Sequence, residues 1–139
     1  MNNSKVLIDT NILIYAWNSD DRIKQDAAIT TLKNHQNTAC LSIQNLSEFS
    51  TVMLRNGCNS DWIKDTINMY ERLMTIYPLT IPMIREALRA VRQYRMSYWD
   101  AQIWAVAKSN LIPVILTEDG PIGQTIEGVL YRNPLSLMD

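Results

Sequence analysis

Hydrophobic residues along this chain fall in short runs whose spacing alternates between strand-like and helix-like. Lys5-Val6-Leu7-Ile8 is a β-branched apolar run suited to a buried strand, and it stops at Asp9-Thr10-Asn11. Ile12 to Trp17 is continuously apolar and reads as the start of a buried helix. A second helix is expected from about Asp21 to Leu32, with Ile23, Ala27 and Leu32 facing inward. Thr38-Ala39-Cys40-Leu41 reads as a second strand. Ser42 then suits the N-cap of a helix that carries Leu46, Phe49, Val52 and Met53 and ends near Asn56-Gly57.

The second half repeats the alternation. Asn59 or Ser60 caps a helix with the stripe Ile63, Ile67, Tyr70 and Met74; Trp62, Met69 and Leu73 lie beside it, so core packing and a protein contact both fit. Thr75-Ile76-Tyr77 is a third short strand. Pro82 suits the first turn of a helix whose core stripe is Ile84, Ala87, Leu88 and Val91. Ser97 caps a further helix with Trp99, Ile103, Trp104 and Ala107. Val114-Ile115-Leu116 is a fourth strand, and Val129-Leu130-Tyr131 adds a last one. Strands alternating with helices, with no hairpin signal between them, predict an α/β domain with a largely parallel sheet.

With 139 residues, 4 glycines and 5 prolines, the chain is expected to form one domain over 1–139 without a flexible linker. No run approaches the roughly 20 apolar residues of a spanning helix, and no secretory signal pattern opens the sequence. A cytoplasmic protein with no membrane partner is the expectation. Cys40 and Cys58 suit reduced thiols, and the lone His35 lies in a polar segment. A net charge of -1 offers no global attraction for nucleic acid, so any such partner must be held by a local basic patch or by bound metal. Arg85, Arg89 and Arg92 fall along one helix face with Arg95 just off it; a solvated surface and a phosphate-binding stripe both fit.

The chemistry worth weighing lies in the acids. Ligands of a parallel α/β sheet bind outside the carboxyl ends of the strands. Asp9 follows the first strand and Asp119 the fourth, so both open onto one rim. Each also has a structural reading, Asp9 as a turn residue or N-cap and Asp119 as part of the turn before Gly120-Pro121. Glu48 stands beside an apolar helix stripe, where a carboxylate needs a cation or a donor. Ser97-Tyr98-Trp99-Asp100 fits a capping box, so Asp100 reads equally as helix cap and as reactive acid.

Four segments in order resemble the PIN-domain family, and within it the VapC-type toxins of bacterial toxin–antitoxin pairs. They run from Val6 to Tyr15, from Ser42 to Phe49, from Tyr98 to Ala107 and from Ile115 to Gly120, followed by Gly128-Val129-Leu130-Tyr131-Arg132-Asn133-Pro134. The resemblance implies a three-layer α/β/α fold around a central, mainly parallel sheet of four to five strands. It implies a Mg²⁺- or Mn²⁺-dependent endoribonuclease, with Asp9, Glu48 and Asp100 in the core acidic positions and Asp119 in a more variable fourth. Asn11 and Thr117 match polar positions beside the site. Where related toxins often continue the fourth motif with a pair such as Leu-Gln, this chain has Gly120-Pro121, which leaves both Glu118 and Asp119 open as the inward acid. A cognate antitoxin, a homodimer and an RNA substrate are the implied partners. A non-catalytic RNA- or protein-binding module on the same fold is the alternative. A phosphorylated receiver domain wants adjacent acids after the first strand and a lysine after the last; Asp9-Thr10-Asn11 and Thr117-Glu118-Asp119 supply neither.

Overall fold

The computed structural model describes residues 4–136. Its elements are β1 (Val6–Ile8), α1 (Thr10–Ala16), α2 (Arg22–Asn34), β2 (Ala39–Ser42), α3 (Ile43–Arg55), α4 (Ser60–Leu73), β3 (Thr75–Tyr77), α5 (Ile81–Tyr94), α6 (Tyr98–Ser109), β4 (Val114–Leu116), β5 (Thr125–Ile126) and β6 (Val129–Arg132). The sheet order is β3-β2-β1-β4-β6-β5, parallel throughout except for β5 against β6.

Alternation along each strand sends side chains to two separate cores. Val6, Ile8, Leu41 and Leu116 face α1 to α4, packing with Ile12, Phe49, Ile63 and Tyr70. Leu7, Cys40, Ile115 and Tyr131 face α5 and α6, packing with Ala87, Ala90 and Trp104. Two helical layers on one sheet give the expected α/β/α arrangement. Both cysteines are free thiols, Cys40 buried and Cys58 half-buried. Among the described residues, no helix is long and apolar enough to cross a membrane.

Side-chain caps fix several helix starts, each accepting a backbone N–H: Asp9 for α1, Asp21 for α2, Ser42 for α3, Asn59 for α4 and Ser97 for α6. The double apolar face of α4 resolves as core packing over most of its length, with Ile63 and Tyr70 buried and Trp62, Ile67 and Met69 packed against the same core.

Three expectations change. The sheet gains a sixth strand, β5, through a two-residue hairpin at Glu127-Gly128. Both residues have positive φ, 48° and 87°, as a tight two-residue turn requires. Glu-Gly is not among the usual dipeptides for such turns, so the hairpin left no mark in the sequence. Ile23 is 63% exposed, because α2 turns Ala28 and Thr31 inward, the Thr31 hydroxyl being satisfied by the Ala27 carbonyl. Leu88 is 55% exposed, because α5 meets α6 through the small residues Ala87 and Ala90 against Ala101 and Ala105, which lets the helices approach closely.

Candidate functional site

The strand order reverses between β1 and β4: from β1 the chain proceeds to β2 and β3 on one side, then returns to place β4 on the other. Such a switch point leaves a crevice at the carboxyl ends of the two strands. The register pairs Ile8 with Leu116, so Asp9 and Thr117 leave their strands side by side. Asp9 N–H donates to the Leu116 carbonyl at 2.9 Å, fixing that exit.

Asp9 then does two things at once. Its Oδ1 accepts the Thr10 N–H at 2.8 Å as the cap of α1, and its Oδ2 accepts the Thr117 hydroxyl at 2.9 Å. Cap and site residue are therefore compatible readings of one carboxylate. Burial pushes its carboxyl up from an ordinary 3.8 to about 6, although the bonds from Thr117 and Thr10 oppose this; the charges of Glu48 and Asp100 push further upward.

Glu48 is brought to the same place from α3. Its Oε2 accepts the Thr10 hydroxyl at 3.0 Å and its Oε1 accepts the Gln44 amide at 2.8 Å. Gln44 also donates to the Trp99 carbonyl at 3.3 Å, tying α3 to the first turn of α6 where Asp100 stands. Asn45 donates to the Thr10 hydroxyl at 3.1 Å and closes a capping box with Ser42. Thr10, Gln44 and Asn45, all buried, are thus supporting residues that the sequence reading did not single out. The one available signal was Asn45 three positions after the Ser42 cap.

Asp100 has its N–H capped by Ser97 at 3.2 Å, but among the described residues no hydrogen bond leads back from its carboxylate to close the box. The backbone takes the cap and the exposed carboxylate stays available. Between Glu118 and Asp119 the geometry is decisive. Glu118 turns to the Lys24 ammonium at 2.6 Å and the Tyr15 hydroxyl at 2.7 Å. Burial raises its pKa, yet these bonds outweigh it and leave the carboxyl below its ordinary range. Asp119 instead accepts the Asn11 amide at 3.3 Å, which also reaches the Thr117 hydroxyl at 3.2 Å. Asp119 faces the site.

The arginine stripe divides. Arg89 pairs with Glu86 at 2.7 Å and Glu127 at 2.8 Å, and Lys108 joins the same two carboxylates, clamping the β5–β6 hairpin onto α5 and α6. These bonds hold Glu86 and Glu127 down at about 2. Arg85, Arg92 and Arg95 are exposed, and among the described residues they have no ion-pair partner.

Two buried polar atoms have no partner among the described residues, the Gln44 Oε1 and the Tyr131 hydroxyl. Tyr131 is 4% exposed, lies on β6 opposite Ile115, and packs its ring against Gly120. Burial, with the charges of Asp100 and Asp9, pushes its hydroxyl well above the ordinary tyrosine range. As placed, no three His, Cys, Asp or Glu side chains among the described residues converge into a ready-made metal cluster. The donor set nevertheless fits Mg²⁺ or Mn²⁺, hard ions that take oxygen ligands and retain several waters, and Asp9 is a buried carboxylate whose charge has no cation beside it.

The PIN domain family matches residues 6–125 of the chain. The chain belongs to the PIN-domain family. A search of curated proteins gives no match. Among solved structures it resembles Mycobacterium tuberculosis VapC20, a sarcin-ricin loop cleaving toxin, at 16% identity and TM-score 0.74, covering 88% of this chain and 98% of that one. It also resembles a toxin–antitoxin complex from Klebsiella pneumoniae, at 20% identity and TM-score 0.71 over 94% and 98% of the two chains. A third likeness is VapBC2 from Rickettsia felis bound to a promoter DNA fragment, at 16% identity and TM-score 0.67 over 92% and 97%. The fold is that of these toxins.

Proposed function

We propose that the protein is an endoribonuclease, the toxin of a toxin–antitoxin pair, which hydrolyses RNA phosphodiester bonds with Mg²⁺ or Mn²⁺. The observation that carries the reading is Asp9: its carboxylate is fixed by Thr117 and the α1 N-terminus while burial, Glu48 and Asp100 all disfavour its charge. A divalent cation beside Asp9 would remove that conflict.

Asp9 and Asp100 are the main candidates to hold the ion, with Glu48 and Asp119 completing the site, some of them through water. An ion held there would supply Lewis acidity and would activate water for attack on phosphorus. The chain's own side chains supply the order. Thr117 and Thr10 hold Asp9 and Glu48 in fixed rotamers, Asn11 holds Asp119, and Gln44 sets the distance between α3 and α6.

Kinship of fold with antitoxin-bound toxins supports a small protein antitoxin as partner. A recess of about 580 Å³ between α1, α2 and α4, with exposed Trp17 and Leu73 on its lining, supports a protein contact there. The homodimer belongs to the same proposal.

The test is cleavage of RNA with and without Mg²⁺ or Mn²⁺, for wild type and Asp9→Asn. Metal-dependent cleavage by wild type, reduced by about a hundredfold or more in the variant, is the expected result. Equal activity in both sinks the assignment, and a metal titration without binding favours the non-catalytic module.

A further inference from the structure

A second recess adjoins the acid cluster, and hydrolysis itself makes no use of it. A cavity of about 550 Å³ opens between the end of α5, the start of α6 and the β5–β6 hairpin, and Asp100 and Tyr131 are part of its lining. It therefore shares one wall with the proposed ion site. Tyr94, Met96, Pro121 and Ile126 give it apolar and aromatic surface. Arg95 and Gln124 stand at its polar edge, and among the described residues neither side chain has a hydrogen-bond or ion-pair partner.

The buried Tyr131 hydroxyl is the independent sign of a ligand. It is buried and has no partner among the described residues, although Tyr131 lines the cavity, while Asp9 and Thr117 beside it are bonded to each other. A phenylalanine would fill the same space without an unsatisfied donor, so a hydroxyl there is costly unless something enters to accept from it.

A nucleic-acid base, with flat apolar faces and hydrogen-bonding edges, suits a lining that mixes apolar and polar side chains. Glu127 on the cavity wall is already bonded to Arg89, Lys108 and Tyr94, which leaves Asp100 as the carboxylate acceptor, Arg95 and Tyr131 as donors, and the Gln124 amide as both donor and acceptor. A phosphate inside would face Asp100. A base there would stack on apolar walls and present its edge to those few polar groups, as single-stranded RNA is usually read.

We propose that this cavity is the base-binding subsite of the enzyme: it takes the unstacked base next to the scissile phosphate of single-stranded RNA. The Tyr131 hydroxyl and Gln124 meet the base edge, and Arg95 faces the adjoining backbone. The subsite would set where the RNA is cut, and it rests on the ribonuclease reading of the acid cluster.

The experiment measures binding, without divalent metal, and cleavage, with Mn²⁺, of a fluorescent single-stranded RNA and of copies carrying one abasic nucleotide at each position in turn. Wild type is expected to lose roughly ten- to hundredfold in affinity at one abasic position next to the cut. Tyr131→Phe and Gln124→Ala are expected to bind the intact RNA correspondingly less well and to be indifferent to that abasic position. Neither should melt below wild type, since Tyr131→Phe removes a buried oxygen without a partner and Gln124→Ala an exposed side chain. Variants that show the wild-type abasic penalty overturn the subsite. Cleavage by wild type with no abasic-sensitive position overturns the subsite and leaves the hydrolysis reading standing. An abasic-sensitive position in binding without any cleavage does the reverse, and absence of binding by wild type overturns both.

Discussion

At the scale of single residues, Asp9 sets a conflict between stability and function. Its folded pKa of about 6 lies above the ordinary 3.8, so the folded protein binds its proton more tightly than the unfolded chain does. The resulting stability is fully present below about pH 4 and is lost as pH rises towards and through 6. The shift corresponds to about 3 kcal/mol at neutral pH in the metal-free protein. Asp9→Asn keeps the cap and removes the charge. Metal-free Asp9→Asn should therefore melt above wild type at pH 7.5, the gap closing by pH 4, as followed by circular dichroism. Mg²⁺ should raise the melting temperature of wild type more at pH 7.5 than at pH 5, since the ion competes with the Asp9 proton. A gap that does not depend on pH would remove the burial argument.

At the scale of elements, the β5–β6 hairpin carries more of the site than its length suggests. It places Ile126 against the Trp104 indole, whose N–H donates to the Ile126 carbonyl at 3.1 Å, and it sets Tyr131 beside Gly120. Gly128 turns the hairpin at φ 87° with nothing within 4 Å of where a Cβ would stand. The cost of Gly128→Ala is then purely that of a left-handed backbone, about 1–2 kcal/mol, and a fall in melting temperature of a few degrees is expected. A substitution without effect on stability would mean that the turn relaxes into another type. The same hairpin marks a limit of the sequence reading. Apolar periodicity located every other strand, but β5 has two residues and no pattern of its own, and only its pairing with β6 defines it. On α5 and α2 the inward faces were legible in part: Ala87 and Val91, and Ala27 and Leu32, pack inward as expected. Leu88 and Ile23 do not, because the edge of a face is chosen by how closely the neighbour approaches. Ala87 and Thr31 are inside where Leu88 and Ile23 are not.

At the scale of the whole molecule, a net charge of -1 means that the proposed binding of RNA would depend on few cations. Arg89 is neutralised by Glu86 and Glu127, which leaves Arg85, Arg92 and Arg95 of the original stripe. On the proposed reading each of the three meets a phosphate of a single strand, and log affinity should then fall with log salt at a slope of about −2. Arg89→Gln should leave that slope unchanged, while the triple Arg→Gln variant at 85, 92 and 95 should flatten it, as measured by fluorescence anisotropy across a salt series. A slope that Arg89→Gln reduces would assign Arg89 to the RNA after all.

The sequence by itself determined the alternation of strands and helices, hence the α/β class, and it brought Asp9 and Asp119 to strand ends. Both follow from local spacing, which a linear pattern records fully. Only the tertiary structure decided which acid of Glu118-Asp119 faces the crevice, since that turns on Lys24 and Tyr15 lying 94 and 103 positions away in the chain. It likewise separated the cap from the carboxylate at Asp100, drew Thr10, Gln44 and Asn45 in as supports, and left the Tyr131 hydroxyl bare beside the acids. Hydrogen bonds between distant segments carry no sequence period, so they exist only once the sheet has closed around its switch point.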